Sequence, residues 1–185
     1  MMQEELLNDK KQSDGLFFVI ILFIVFFIFY FITSTFMFVQ VDGDSMNDTL
    51  IDKDVLIVNR NATVNRGDVI VFDEKTHGKL IKRVIAVEGD EIKSIDNVLY
   101  VKYFGCEEFV ALNEDYIKSP NYILSIPHTK IKSGELYVLG DNRANSQDSR
   151  VFGSIKLSSV NGVVSEWAIN NKKFSTFVLS WIFCC

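Results

Sequence analysis

Histidine, proline and cysteine are scarce in this chain: two, two and three residues of 185. His77 and His128 both lie near turn signals, and no nucleophile-elbow motif accompanies them, so a Ser-His-Asp triad has no sequence support. Cys106, Cys184 and Cys185 form no disulfide framework, and no His or Cys group has zinc spacing, so neither a metal nor a cofactor is expected. A net charge of −5 with scattered basic residues leaves no patch for nucleic acid. Helical periodicity is missing beyond Val39, as are internal repeats and low-complexity segments.

What the chain does have is one long uncharged run. Leu16 to Val39 contains no charged residue and holds nine of the sixteen Phe. Its 24 positions would make a helix of about 36 Å, enough to cross a hydrocarbon core of about 30 Å. A buried soluble helix fits less well, since nine Phe with no polar face leave little to pack as a globular core. A cleaved secretory signal would have a shorter apolar core behind a basic region, whereas Glu4, Glu5, Asp9, Lys10, Lys11 and Asp14 precede this one. The segment reads as a retained single-pass anchor, residues 16–39, behind a tail of residues 1–15. Lys10 and Lys11 precede it and the next basic residue is Lys53, so the positive-inside bias puts the N-terminus in the cytoplasm.

Short β-rich runs follow, separated by turn residues: 54–59, 68–72, 80–87, a hairpin of 91–95 and 98–102 around Asp96-Asn97, then 122–126, 136–139 and 160–167. Such spacing predicts a mainly β, antiparallel region over residues 40–170. The less regular stretch from about 103 to 134 holds both prolines, and residues 91–135 read as a smaller inserted lobe or a long excursion over the core. The apolar tail, 171–185, is too short to span; it either dips into the interface or covers the core as a terminal strand.

Three segments carry chemistry. Ser45 follows the anchor in Asp42-Gly43-Asp44-Ser45, and a serine hydroxyl becomes a nucleophile only when a base takes its proton. Lys82 sits in Leu80-Ile81-Lys82-Arg83-Val84-Ile85-Ala86-Val87, beside the apolar strand Val69-Ile70-Val71-Phe72. Burial among such residues lowers a lysine pKa from about 10.4 and makes the amine available as a base. Gly140-Asp141-Asn142-Arg143-Ala144-Asn145-Ser146-Gln147-Asp148-Ser149-Arg150 is a dense polar stretch. Alone, each has an ordinary explanation as a turn, an edge lysine or a self-bonded loop.

Together and in order, they resemble the type I signal peptidases of Gram-positive type. Ser45-Met46-Asn47-Asp48-Thr49-Leu50 is similar to that family's Ser-Met-x-Pro-Thr-Leu box, Gly67 to Phe72 to its next box, Lys82 to Asp90 to its lysine box, and Gly140 to Gly153 to its last. The resemblance implies a serine–lysine endopeptidase, its β catalytic domain outside the plasma membrane, that removes signal peptides from exported preproteins. It implies Ser45 as nucleophile, with its backbone N–H in the oxyanion hole, and Lys82 as general base. Ser146 would hydrogen-bond the lysine, Asp148 and Arg150 would pair, and Arg83 would lie close to Asp148. Met46 is a candidate substrate contact. The partners implied are preproteins with small residues one and three positions before the cut, the lipid bilayer and the secretion machinery.

Asp48, Ala86 and Glu88 depart from the family's boxes, the last two away from the expected chemistry, whereas Gly43 is shared with many Gram-positive-type members. Asp48 replaces the family's proline, which leaves the Ser45 loop less rigid and disfavours anionic substrates. Gly43 stands where some members carry a hydroxyl donor to the oxyanion, so backbone must serve. The alternatives are a serine–lysine maturation peptidase with a restricted client, and a non-catalytic membrane-anchored β binding domain.

Overall fold

The computed structural model describes residues 2–47, 49–118 and 122–165, with side chains from Gly15 onward. It divides into an N-terminal unit, residues 1–37, and a β unit beginning at Phe38. The first is a single helix, α1 (Met2–Thr35). Its apolar part, Gly15–Thr35, has 21 residues, a length of about 32 Å. Phe23 is 70% and Phe27 68% exposed, so no protein core receives these rings, and lipid is the solvent that fits them. Its hydroxyls are satisfied internally: Thr33 Oγ1 donates to the Phe29 carbonyl at 3.0 Å and Ser34 Oγ to that of Phe31 at 3.0 Å.

The helix stops four residues before the expected end of the anchor. Phe36 to Val39 instead belong to strand β1 (Phe36–Gln40). Thr33-Ser34-Thr35 are weak helix formers, and the aromatic and β-branched residues that follow favour extended backbone.

Among the described residues ten further strands follow: β2 (Val55–Asn59), β3 (Val69–Glu74), β4 (Gly78–Ala86), β5 (Glu91–Ile95), β6 (Val98–Lys102), β7 (Val110–Ala111), β8 (Thr129–Lys130), β9 (Glu135–Leu139), β10 (Ile155–Lys156) and β11 (Val160–Val164). Seven form one sheet in the order β1-β2-β11-β3-β4-β9-β10, and four a second in the order β7-β6-β5-β8. The architecture is mainly antiparallel β with one N-terminal apolar helix. A short helix, α2 (Ser149–Phe152), is capped by the Asp148 side chain.

β4 and β9 are central because both their faces are covered. Val84 and Val138 join Ile70, Phe72, Leu136, Ile155 and Val163 in one apolar cluster. Ile85, Tyr137 and Leu139 project the other way, into a cluster with Ile92, Leu99, Val101 and Ile131 that joins the second sheet to the first. Strand alternation generates both clusters from the same two segments.

The Asp96-Asn97 hairpin forms, with φ of 51° and 63° at those residues, the left-handed pair a two-residue turn requires. The stretch 122–126 is extended but is not a ladder strand. Ile126 N–H donates to Ser94 Oγ at 2.7 Å and Leu124 N–H to Asn97 Oδ1 at 2.9 Å, so side chains satisfy donors that a strand would have paired. Strand β11 ends at Val164, and residues 166–185, including the apolar tail, lie outside the described residues.

Asp90 closes the passage from β4 to β5. It is fully buried, receives Arg66 Nε at 2.6 Å and Nη2 at 2.7 Å, and accepts the backbone N–H groups of Val87 and Phe104. Replacing it strands donors in the interior. Asp90→Ala is expected to lower stability by about 1–3 kcal/mol in denaturant unfolding of the detergent-solubilised protein, less than for a wholly buried pair because the Arg66 side chain is 39% exposed. A loss below about 1 kcal/mol would contradict this account of the junction.

Candidate active site

Ser45 sits in a tight turn fixed from both ends. Gly43 has a φ of 88°, a left-handed conformation that a side chain there would strain, and its N–H donates to Asp52 Oδ1 at 2.8 Å. This geometry suits glycine at the position where a hydroxyl might have stood. Asn47 N–H reaches the Asp44 carbonyl at 3.1 Å and Leu50 N–H that of Met46 at 2.8 Å. Ser45 is half-buried, so its hydroxyl remains reachable. Met46 is only 1% exposed and presents no surface to a substrate in this conformation. Asp48 lies outside the described residues.

Lys82 lies directly across from Ile70 in the β3–β4 ladder and shares its face of the sheet. That placement leaves the lysine 2% exposed. Its Nζ donates to Ser45 Oγ at 2.6 Å and to the Ile81 carbonyl at 2.9 Å. Burial pushes its pKa down from 10.5 to about 8, opposed by the negative charges of Asp148 and Asp141. Desolvation therefore wins over two nearby carboxylates, because each is already matched to an arginine.

Those matches define the surrounding shell. Asp148 takes Arg150 Nε and Nη2, both at 2.8 Å, together with the Gly140 N–H at 3.0 Å. Arg83 does not meet Asp148. It forks onto Asp141 instead, Nε to Oδ1 at 2.9 Å and Nη2 to Oδ2 at 2.6 Å, and Thr49 Oγ1 adds a bond to the same carboxylate at 2.5 Å. Two acids seven positions apart in one loop look equivalent in sequence. Only the fold decides which faces Arg83. Ser146 Oγ is buried beside Asp148, and its expected bond to Lys82 is not made here.

Three contributors escaped the sequence reading: Asp141 as the partner of Arg83, Asn142 and Gly140. Asn142 N–H donates to the Ser45 carbonyl at 3.1 Å and Asn142 Nδ2 to the Asp44 carbonyl at 3.0 Å, clamping the serine turn onto the polar loop. Gly140 is required by space: a Cβ there would lie 2.2 Å from Ser146 Oγ and 2.5 Å from the Ser45 carbonyl oxygen. Their positions within the Gly-Asp-Asn-Arg run were the available signal.

A half-exposed hydroxyl in contact with a buried amine of lowered pKa can perform nucleophilic catalysis. When the ammonium loses a proton, the contact reverses and Ser45 Oγ–H donates to the lone pair on Nζ.

Comparison with known proteins identifies the family of the chain. Residues 14–168 match the family model described as signal peptidase, peptidase S26. Signal peptidase I V of Bacillus subtilis (strain 168) is 33% identical over 144 residues, covering 72% of this chain and 86% of that protein. Signal peptidase IB of Staphylococcus aureus (strain MRSA252) is 32% identical over 152 residues, covering 73% and 80%. A crystal structure of a signal peptidase I from Enterococcus faecalis V583 is similar at 31% identity, covering 56% of this chain and 98% of its own, with a TM-score of 0.48.

Two outcomes follow from the geometry. Gly140→Ala is expected to reduce cleavage at least tenfold, roughly, in a turnover assay, because the added methyl displaces the Ser45 carbonyl. The fall of the Lys82 pKa to about 8 means that holding the charged form inside costs about 3 kcal/mol. Between about pH 8 and 10.5 the folded state binds fewer protons than the unfolded one, so stability rises with pH across that window. Lys82→Met is therefore expected to melt above wild type near about pH 7, with the gap closing by about pH 10. A gap that does not change with pH would contradict the assigned burial cost.

Proposed function

Because the chain belongs to the signal peptidase family, peptidase S26, we propose that Ser45 and Lys82 are the catalytic dyad with which it cleaves signal peptides from exported preproteins. Family membership makes the protein a peptide-bond hydrolase of signal-peptide processing, and the apolar N-terminal helix gives it a membrane location. The observation that carries the dyad is the 2.6 Å contact between a half-buried hydroxyl and a lysine that is 2% exposed.

In this reading neutral Lys82 takes the Ser45 proton as Oγ attacks the scissile carbonyl. The new ammonium then protonates the departing amine, and the acyl-enzyme is hydrolysed by a water that Lys82 activates in the same way. The Ser45 backbone N–H stabilises the oxyanion. Asp141–Arg83 and Asp148–Arg150 hold the polar loop, and Ser146 Oγ is close enough to Gly140 and the serine turn to orient the lysine once substrate excludes water.

In this reading the N-terminus is cytoplasmic and the chemistry lies outside the plasma membrane, as Lys10 and Lys11 before the apolar helix favour. A preprotein's signal helix lies in the same bilayer, and its cleavage site emerges beside the enzyme, delivered by the secretion machinery. As the resemblance to the family implies, the substrate binds extended with small residues one and three positions before the cut, main-chain pairing supplying affinity and shallow pockets selectivity.

Ser45→Ala and Lys82→Ala should each lower preprotein cleavage in detergent or lipid by on the order of 10⁴-fold or more, measured with N-terminal sequencing of the product. Wild-type-like processing by either variant would remove the dyad. The log of kcat/KM should climb with pH, about one decade per pH unit, and level off above about pH 8, as Lys82 loses its proton. Metal chelators should leave the rate unchanged. A profile flat from about pH 6 to 9 would point to a different base.

A further inference from the structure

Arg143 is, with Lys82, a fully buried cation of the β unit, and the dyad chemistry gives it no task. Its side chain is 0% exposed. Nε donates to the Gly140 carbonyl at 3.1 Å, Nη1 to Glu114 Oε2 at 3.0 Å, and Nη2 to Glu114 Oε1. The Arg143 carbonyl in turn accepts Arg150 Nη1 at 2.7 Å. The residue therefore ties together the two ends of the polar loop whose Asn142 clamps Ser45.

Its counter-charge comes from outside that loop. Glu114 lies 29 positions earlier, in the segment after β7. Two residues on, Tyr116 donates its hydroxyl to Glu114 Oε1 at 2.7 Å. The Tyr116 ring lies under the second arginine of the site, with the Arg83 guanidinium carbon 4.1 Å from its centroid. Arg83 is the neighbour of Lys82 along β4 and the partner of Asp141. One turn thus touches the arginine that organises the Ser45 side and the arginine that organises the Lys82 side. Burying a guanidinium without its carboxylate is strongly unfavourable, so the Glu114 contact is a constraint on the loop and not a surface ornament.

We propose that Glu114 and Tyr116 are positioning residues of the reaction, bracing the polar loop against β4 through Arg143 and Arg83 so that Ser45 Oγ stays within reach of Lys82 Nζ. The proposal rests on the Ser45–Lys82 reading. It predicts that loosening the brace lowers turnover while substrate binding, which uses other surfaces, persists.

The test compares full-length variants on a preprotein in detergent micelles, recording kcat, KM and melting temperature. Glu114→Gln keeps the shape and removes the charge; kcat should fall about 100-fold, the cost of a displacement near 1 Å at the reacting atoms, with KM within about twofold. Glu114→Leu combined with Arg143→Met removes both charges together and should recover melting temperature without recovering kcat. Tyr116→Phe keeps the ring beneath Arg83 and loses one hydrogen bond, for an expected drop in kcat of about fivefold; it decides the matter should the Glu114 variants fail to fold. Wild-type kcat in Glu114→Gln or in Tyr116→Phe would overturn the brace, as would full recovery of kcat in the double variant, which would make the pair a fold pin only. Ser45→Ala is run alongside. Its inactivity locates any such failure in the brace, whereas its cleavage at wild-type rate would overturn the dyad and the brace with it.

Discussion

Everything at the site depends on an amine held in an apolar wall. Lys82 is placed there by strand register, across from Ile70 and two residues from Val84, at positions whose alternation would otherwise call for a hydrophobic side chain. Water would keep that amine protonated. The sheet withdraws the water, and the pKa falls toward the range in which a base can work. Ser45 is the other half of the pair, and it comes from a separate segment, so the fold must bring the turn after β1 against the middle of the sheet.

Bringing them together creates an electrostatic problem, and the polar loop solves it. Carboxylates close to Lys82 raise its pKa and work against its use as a base. Asp141 and Asp148 are each committed to a forked arginine contact, which spreads their charge into neutral pairs. The same loop then supplies Asn142 to hold the serine turn and Gly140 to let it approach. Charge neutralisation and positioning are done by one segment.

The sequence made the strands, the hairpin and the Ser45–Lys82 pair legible because those depend on local pattern: alternation, turn residues and a lysine flanked by apolar neighbours. It also displayed the anchor through length and absence of charge. Partner choice was not legible. Arg83 was expected beside Asp148 and lies on Asp141, since two carboxylates of one loop differ only in the direction the folded backbone gives them. Phe36 to Val39 continued the apolar run in composition but became strand, because three weak helix formers precede them. Residues 122–126 read as a strand from their apolar content, yet Ser94 and Asn97 intercept their N–H groups. Glu114 and Tyr116 carried no signal at all, as their meaning lies in contacts with residues about 30 positions away in either direction.

The central claim is that burial, and not a chemical partner, prepares Lys82 to act as a base. An NMR titration of the detergent-solubilised protein, labelled at lysine Cε and assigned by comparison with a Lys82→Met sample, measures this directly. The account predicts one lysine titrating at about 8, well separated from the others. A Lys82 resonance that titrates with the rest, near about 10.4, would contradict it.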